Sequence, residues 1–223
     1  MESDDAFLDA FLNACAAGDL SNTQEAIASG RLTLEDLDEG LALATYDAHP
    51  DIVATLFDAG ARVSTYATGF LTGEEEQVPG IIRQFLDHGL DPNASVSGGE
   101  PLLRYIVPQE DTSLIDLLLT HGAKLESNML FDTIAPRVTQ GEFMTKFLLA
   151  KGLDPNTTSS RWGTPLHRAV EISKPNIIKL LLDAGADPTA RPTKTIYYNR
   201  SPLQMAENSQ SSRRQAMLSL LRS

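Results

Sequence analysis

The sequence predicts an all-α solenoid of stacked helix-turn-helix units with short β-like fingers, and three observations lead to that fold class. An apolar run, two spacer residues, a glycine and a small or apolar residue recur along the chain. The glycines lie at positions 30, 60, 89, 122, 152 and 185, so successive gaps are 30, 29, 33, 30 and 33 residues. Turn-forming residues follow several of these glycines. Self-similarity at this period indicates an array of repeated supersecondary units.

The apolar runs predict the second helix of each unit. In the fifth full copy Ile177, Ile178, Leu181 and Leu182 share one helical face, as expected for a helix packed on a core. The glycine that ends each run lies where a helix C terminus needs a left-handed residue. We therefore predict a positive φ angle for five glycines: Gly60, Gly89, Gly122, Gly152 and Gly185.

Turn chemistry marks the links between units. Asp-Pro-Asn occurs at 91–93 and 154–156, and Asp-Pro-Thr at 187–189, which are residues favoured in turns. The pattern predicts a single domain over residues 1–223. It divides that domain into about seven units, with approximate bounds 4–31, 32–63, 64–94, 95–125, 126–157, 158–190 and 191–223.

One segment resembles a known repeat signature. Residues 163–170 read Gly-Thr-Pro-Leu-His-Arg-Ala-Val, which resembles the T-P-L-H-x-A motif of ankyrin repeats. Residues 201–206 and 100–103 are weaker matches. The resemblance implies that Thr164 caps a first helix and that His167 bonds to neighbouring backbone. It also implies a protein-binding role for the concave face of fingers and first helices.

Charge is distributed unevenly along the chain. Residues 1–60 hold 13 acidic and 1 basic residue, 61–160 hold 13 and 7, and 161–223 hold 4 and 10. The net charge of −12 argues against non-specific nucleic-acid binding, whereas the basic tail suits a partner with an acidic segment. The run Glu74–Glu76 is either a solvated loop or a docking patch for a basic partner.

The sequence also predicts where the protein works. No run approaches the roughly 18 apolar residues that a membrane helix needs, so no membrane partner is expected. The acidic start does not resemble a targeting peptide, and the single cysteine, Cys15, suits a reducing compartment. We expect a cytoplasmic monomer, with the nucleus as the alternative location.

The sequence pattern does not indicate catalytic or metal-binding chemistry. The chain lacks the G-x-S-x-G, Walker, G-x-G-x-x-G and H-E-x-x-H motifs, so we predict that it is not an enzyme and has no cofactor or metal. His88 and His121 each precede a repeat glycine, where a histidine stabilises the helix C terminus. Cys15 lies in an apolar helix and is expected to behave as a small hydrophobic residue.

The predicted function is a protein-interaction module, namely an adaptor, scaffold or inhibitor. Binding hot spots are enriched in Trp, Tyr and Arg, and the fingers of neighbouring units must stand side by side in a stacked array. Such residues cluster in the sixth and seventh units, and the acidic N-terminal units are the second choice. The predicted binding residues are Arg161, Trp162, Arg168, Tyr197, Tyr198 and Arg200.

A second hypothesis is an enzyme or small-molecule binder with a pocket lined by irregular repeats. The links after Gly60 and Gly122 are too short for full fingers, and Tyr105 stands where the resemblance implies a small alanine. These irregular units, together with Trp162, could line a cavity between repeats. A closed cavity with converging polar groups would favour this hypothesis over the first.

Overall fold

The structure, a computed structural model, describes residues 4–72, 79–96, 99–106, 112–136, 138, 141–192 and 196–223. The acidic run Glu74–Glu76 lies outside these residues. The described chain is all-α, as predicted, and its helices are α1 Asp4–Ala17, α2 Leu20–Ala28, α3 Leu34–Tyr46, α4 Pro50–Asp58, α5 Thr65–Gly69, α6 Pro79–Asp87, α7 Leu102–Ile106, α8 Thr112–Thr120, α9 Leu130–Thr133, α10 Gly141–Ala150, α11 Pro165–Glu171, α12 Pro175–Asp183, α13 Pro202–Glu207 and α14 Arg214–Leu221. Short 3-10 turns at Phe70–Thr72 and Ser127–Met129 adjoin α5 and α9.

The helices form two compact units. The first comprises residues 1–105 and 116–123, and the second comprises 106–115 and 124–223. In the first unit α3 packs between α1 and α5, while α4 packs between α2 and α6. In the second unit α11 packs between α9 and α13, and α12 between α10 and α14. Each unit therefore has one layer of first helices and one layer of second helices.

The repeat glycines end the second helices in the predicted conformation. Their φ angles are +103° at Gly60, +96° at Gly89, +94° at Gly122, +92° at Gly152 and +92° at Gly185. A left-handed residue lets the chain reverse while its N–H and the next one bond to the last helical carbonyls. The predicted positive φ angles are confirmed at all five positions.

Within each compact unit, an asparagine side chain connects one helix-turn-helix repeat to the next. The Nδ2 of Asn156 donates to the carbonyl of Gly185 at 2.9 Å, and its Oδ1 accepts from the N–H of Asp187 at 2.8 Å. Asn93 makes the equivalent bond to Gly122 at 3.0 Å. A turn residue thus satisfies backbone groups at the next helix end, which would otherwise lack a partner.

The core of the second unit is a continuous apolar cluster. Ile178 and Leu181 of α12 and Met217 of α14 are fully or almost fully buried within it. These side chains recur at helical spacing, so the amphipathic pattern read from the sequence is the pattern that packs. The layer of first helices faces this cluster through Leu166, Ala169 and Val170, which positions α11 under the sixth finger.

Candidate partner-binding surface

The sixth finger is a small hairpin that presents Arg161 and Trp162. The N–H of Ser159 donates to the carbonyl of Gly163 at 2.7 Å, and the reverse bond is 3.1 Å. Gly163 has a φ angle of +63°, and a Cβ atom there would lie 2.8 Å from Cγ of Pro192. Glycine is required at this position because the seventh finger approaches too closely for a side chain.

Trp162 contacts two guanidinium groups. The Cζ atoms of Arg161 and Arg168 lie 4.3 Å and 4.0 Å from the ring centroid, within the range of cation–π attraction. Arg168 is itself fixed, because it pairs with Glu171 and donates to the carbonyl of Ile134 at 3.3 Å. The indole, which is half-buried, therefore has a defined orientation.

Tyr197 lies beneath this surface. It is 8% exposed, its ring stacks on His167 with centroids 5.6 Å apart, and its hydroxyl donates to Glu171 at 2.8 Å. Burial raises the pKa of Tyr197, and the bond to the Glu171 carboxylate raises it further. Since Glu171 of α11 binds both Arg168 of the same helix and Tyr197, it connects the seventh finger to the helix that supports Trp162. Sequence analysis missed Glu171, and its spacing three residues after Arg168 was the available signal.

Tyr198 stands at the tip of the seventh finger. It has a φ angle of +53° and is followed by Asn199 at +59°, and the N–H of Arg200 donates to the carbonyl of Tyr197 at 3.1 Å. Two left-handed residues inside such a bond are the pattern of a type I′ turn. Tyrosine is strained in this conformation, yet its side chain is 85% exposed.

The two fingers form one surface, which we name the Trp162 surface. The N–H of Ile196 donates to the carbonyl of Arg161 at 3.4 Å, and Arg161 and Arg200 are exposed and form no ion pair with any described residue. A groove of about 330 Å³ lies beside them, lined by Glu171, Ile196, Tyr197, Tyr198, Arg200, Met205 and Asn208. The structure thus brings together the six predicted residues: Arg161, Tyr198 and Arg200 are exposed, Trp162 is half-buried, and Arg168 and Tyr197 lie beneath.

His167 fixes the seventh finger to α11. Its Nδ1 accepts from the N–H of Thr164 at 3.2 Å and lies 2.8 Å from the Thr164 hydroxyl, while Nε2 lies 3.0 Å from the carbonyl of Arg200. Since an N–H cannot accept, Nδ1 must be unprotonated and Nε2 must carry the hydrogen. Burial lowers the pKa of His167. The structural role implied by the motif is confirmed.

The other histidines also have protein partners. His88 stacks on Phe57 with centroids 4.3 Å apart, and its Nδ1 lies 2.8 Å from the carbonyl of Gln84. His121 lies 3.8 Å from the carboxylate of Asp87. Across the described ranges, no three His, Cys, Asp or Glu side chains are grouped so as to hold a metal ion.

Cys15 is a buried thiol. Its side chain is fully shielded from solvent, and the Sγ atom lies 4.0 Å from the Thr23 hydroxyl. Burial raises the pKa of Cys15 to about 11, although the contact with Thr23 opposes the shift. Thiolate is the reactive form of cysteine, so this residue behaves as part of the core of the first unit.

We expect Cys15 to be unreactive in the native protein. A thiol pKa about two units above the ordinary value leaves about 100-fold less thiolate near neutral pH. Alkylation by iodoacetamide at pH 8 should therefore be at least about 100-fold slower than in denaturant. The Thr23→Ala variant is the control for the contact between the Cys15 thiol and the Thr23 hydroxyl, which opposes the effect of burial on the pKa. Native and denatured rates within tenfold of each other would contradict this assignment.

Three grooves of the described residues bear on the small-molecule hypothesis. Grooves of about 420, 330 and 380 Å³ occur in the described chain, and neither Tyr105 nor Trp162 lines any of the three. The irregular residues that motivated a pocket therefore do not form these cavities. Within the described residues, no helix has the length and apolar character needed to cross a membrane.

The architecture defines a helix-turn-helix repeat protein whose fingers carry an exposed aromatic and basic surface. The family model for ankyrin repeats (many copies) matches residues 141–182. The solved ankyrin repeat domain of Bcl-3 matches with a TM-score of 0.73 and 21% identity, covering 96% of this chain and 98% of that one. The chain therefore has the ankyrin repeat fold, and residues 141–182 carry the sequence pattern of the ankyrin repeat family.

Two relatives share part of the sequence. Over 169 residues the chain is 22% identical to the ankyrin repeat, SAM and basic leucine zipper domain-containing protein 1 of Dasypus novemcinctus, covering 73% of this chain and 35% of that protein. Over 45 residues it is 51% identical to the 2-5A-dependent ribonuclease of Mus musculus, covering 20% of this chain and 6% of that protein. The chain spans about a third of the first relative and far less of the second.

Proposed function

We propose that the chain is an adaptor, scaffold or inhibitor that holds a partner protein through an acidic segment bound at the Trp162 surface. Ankyrin repeat domains are typically protein-binding modules, which supports the class of function. The mechanism is steric occupancy of the partner, with the repeats acting as a rigid support. A cytoplasmic or nuclear monomer is part of the same proposal, since a lone buried cysteine suits a reducing compartment.

Tyr198 is the observation that carries the proposal. A bulky residue with a positive φ angle costs on the order of 1 kcal/mol or more, and glycine or asparagine would occupy this turn position more readily. Burial of the Tyr198 side chain does not offset this conformational cost, because the side chain is 85% exposed. Strain at an exposed aromatic side chain is typical of binding sites.

The charges beside Tyr198 favour an acidic segment. Arg161 and Arg200 are exposed at the two fingers, and guanidinium groups suit bidentate recognition of carboxylates. Trp162 adds a rigid apolar ring whose orientation is set by Arg168. An acidic peptide with an apolar or aromatic residue next to its carboxylates would match these groups.

The test first identifies partner proteins by capture and then measures their affinity for the chain. Proteins captured by the wild-type chain and lost with the Trp162→Ala/Tyr198→Ala variant are identified first, and the affinity for each candidate is then measured. We expect Trp162→Ala to weaken binding by about 2 kcal/mol or more, roughly 30-fold. Thermal unfolding should change little, because neither side chain belongs to the apolar core. Association should also slow as salt rises, since steering between charged surfaces is screened.

Tyr198→Asn is the matched variant for the turn. Asparagine tolerates the left-handed conformation, so this change should preserve or raise stability while it lowers affinity. Tyr46→Ala, in the other unit, is the control for removal of an exposed aromatic ring. Equal affinity of the wild type, Trp162→Ala and Tyr198→Asn would place the binding site elsewhere.

A further inference from the structure

The first unit carries two exposed tyrosines packed on a half-buried phenylalanine, which we name the Tyr46 cluster: Tyr46, Tyr66 and Phe70. Tyr46 is 64% exposed and Tyr66 is 60% exposed. Both rings meet Phe70 edge-on, with centroids 5.3 Å and 5.2 Å from it. Single exposed aromatics need no explanation, but a contiguous exposed group is typical of an interaction surface.

An acidic stripe on α3 continues from the Tyr46 cluster. Glu35, Glu39 and Tyr46 are exposed, and at 100° per residue they lie within about 40° of one another around the helix. Glu39 precedes Tyr46 by seven residues, or about 10 Å along the axis. The two carboxylates and the Tyr46 ring therefore lie along one line on the same face of α3.

The charge of this region is not neutralised from within. Arg31 and Arg62 are the basic residues of the range 4–72, and they pair with Asp4 at 2.7 Å and Asp38 at 2.6 Å. Within the described residues, neither Glu35 nor Glu39 forms an ion pair. Arg62 pairs with Asp38 and also attracts Glu35, so the stripe keeps a negative charge that this one cation offsets only in part.

We propose that the Tyr46 cluster and the α3 stripe bind an extended basic segment of a partner protein. An arginine side chain lies over the exposed tyrosine rings, where cation–π attraction is available. A second cation, three residues along, pairs with Glu39, because an extended chain advances about 3.3 Å per residue and so covers about 10 Å. Glu35 receives a third cation beyond it.

This surface is distinct in chemistry from the Trp162 surface. One is aromatic and acidic and selects cations, while the other is aromatic and basic and selects carboxylates. The inference goes beyond the proposed function, because it gives the chain a second protein ligand. The net charge of −12 disfavours nucleic acid as the occupant of an acidic stripe.

The experiment uses the full chain and a defined probe. The probe is a fluorescein-labelled 12-residue peptide with arginine at every third position and glycine and serine between. A matched peptide with glutamate in place of arginine is the negative control. Fluorescence anisotropy at low ionic strength measures the Kd for the wild type and for the Tyr46→Ala/Tyr66→Ala, Glu35→Gln/Glu39→Gln and Tyr198→Ala variants.

We expect the arginine peptide to bind and the glutamate peptide not to bind. The Kd should rise about tenfold for Tyr46→Ala/Tyr66→Ala, rise similarly for Glu35→Gln/Glu39→Gln, and stay unchanged for Tyr198→Ala. An unchanged Kd for the double tyrosine variant would overturn the proposal, because binding would then depend on diffuse negative charge alone. Circular dichroism checks that each variant is folded, and Glu35→Gln/Glu39→Gln tests the stripe without removing any ring.

A second copy of the chain is the competing occupant, because its Trp162 surface is basic. Analytical ultracentrifugation of the wild type and of Tyr46→Ala/Tyr66→Ala separates the two cases. Self-association that disappears with the tyrosine substitutions would assign the stripe to a second copy and overturn the proposal. Monomers in both samples, together with the expected peptide affinities, would support it. Loss of the Trp162 surface by mutation should leave peptide binding intact, so the two proposals fail independently.

Discussion

Replacing Gly141 with alanine is expected to lower the free energy of unfolding by about 3 kcal/mol, because overpacking against rigid backbone has a cost of this order. Gly141 is the first residue of α10 and is buried. A Cβ atom there would overlap the carbonyl oxygen of Thr133 and would lie 3.3 Å from Cγ1 of Val138. Carbonyl oxygens cannot move aside as flexible side chains do, so α10 would have to shift.

The shift would also break a buried hydrogen-bond network. The Thr145 hydroxyl lies 2.6 Å from the Gly141 carbonyl and 2.8 Å from the Thr133 hydroxyl, which lies 2.9 Å from the Leu130 carbonyl, so the two hydroxyl hydrogens are shared among three short contacts. Buried polar groups that lose their partners cost about 1–3 kcal/mol each. Chemical denaturation of the wild type and Gly141→Ala measures the difference.

Gly69→Ala is the matched control for Gly141→Ala. Gly69 is also helical, and a Cβ atom at that position would have no heavy atom within 4 Å. Alanine is favoured over glycine in a helix by up to about 1 kcal/mol, so this variant should be unchanged or slightly more stable. Equal stability of Gly141→Ala and the wild type would show that α10 does not approach Thr133 so closely.

Removing the His167 side chain should destabilise the chain by about 3 kcal/mol, the usual range for losing a large buried side chain with its hydrogen bonds. His167→Ala leaves the Thr164 N–H and the Arg200 carbonyl without their bonds to the ring. It also removes the surface on which Tyr197 stacks. The seventh finger should therefore loosen, and partner binding at the Trp162 surface should weaken together with stability.

The same residue should make stability depend on pH. The folded-state pKa of His167 lies below the ordinary value of 6.5, so the unfolded chain binds a proton more readily. The stabilising contribution is present above pH 6.5 and is lost as pH falls through the folded pKa. Urea denaturation of the wild type at pH 7.5, 6.5, 5.5 and 5.0 should therefore show a decline that begins near pH 6.5.

His167→Gln provides the comparison, because glutamine keeps hydrogen-bonding groups and does not titrate. This variant should be less stable at pH 7.5 and should decline less between pH 6.5 and 5.0. The remaining histidines are present in both proteins, so their contributions cancel in the comparison. Parallel pH profiles for the two proteins would remove His167 as the source of the decline.

Much of the fold could be predicted because the signals are local. Gly185 ends α12 at a left-handed angle since a residue without a Cβ atom has little penalty there. The Thr164–His167 motif predicted both a helix start and a structural histidine, and both are present. The repeat of 29 to 33 residues predicted the stacked helices, because segments that repeat in sequence bury the same faces.

The candidate surface was predicted only in part. Sequence reasoning placed the sixth and seventh fingers side by side, and the bond from Ile196 to Arg161 joins them. It treated Tyr197 and Tyr198 alike, although one is 8% and the other 85% exposed. Their contrast depends on a turn of two left-handed residues and on the bond from Tyr197 to Glu171, which joins residues 26 positions apart in the chain.

By itself, the sequence determined the helical repeat, its C-terminal glycines and its turns, because periodicity and backbone sterics act within a few residues. Only the tertiary structure decided which aromatic rings are fixed by contacts with other side chains and which are exposed to solvent. Trp162 is oriented by Arg168, and Tyr46 meets Phe70 from another helix. Those contacts join residues on different elements, and burial is a property of the neighbours that a fold supplies. Ring exposure at both proposed surfaces therefore depends on packing rather than on the residue type.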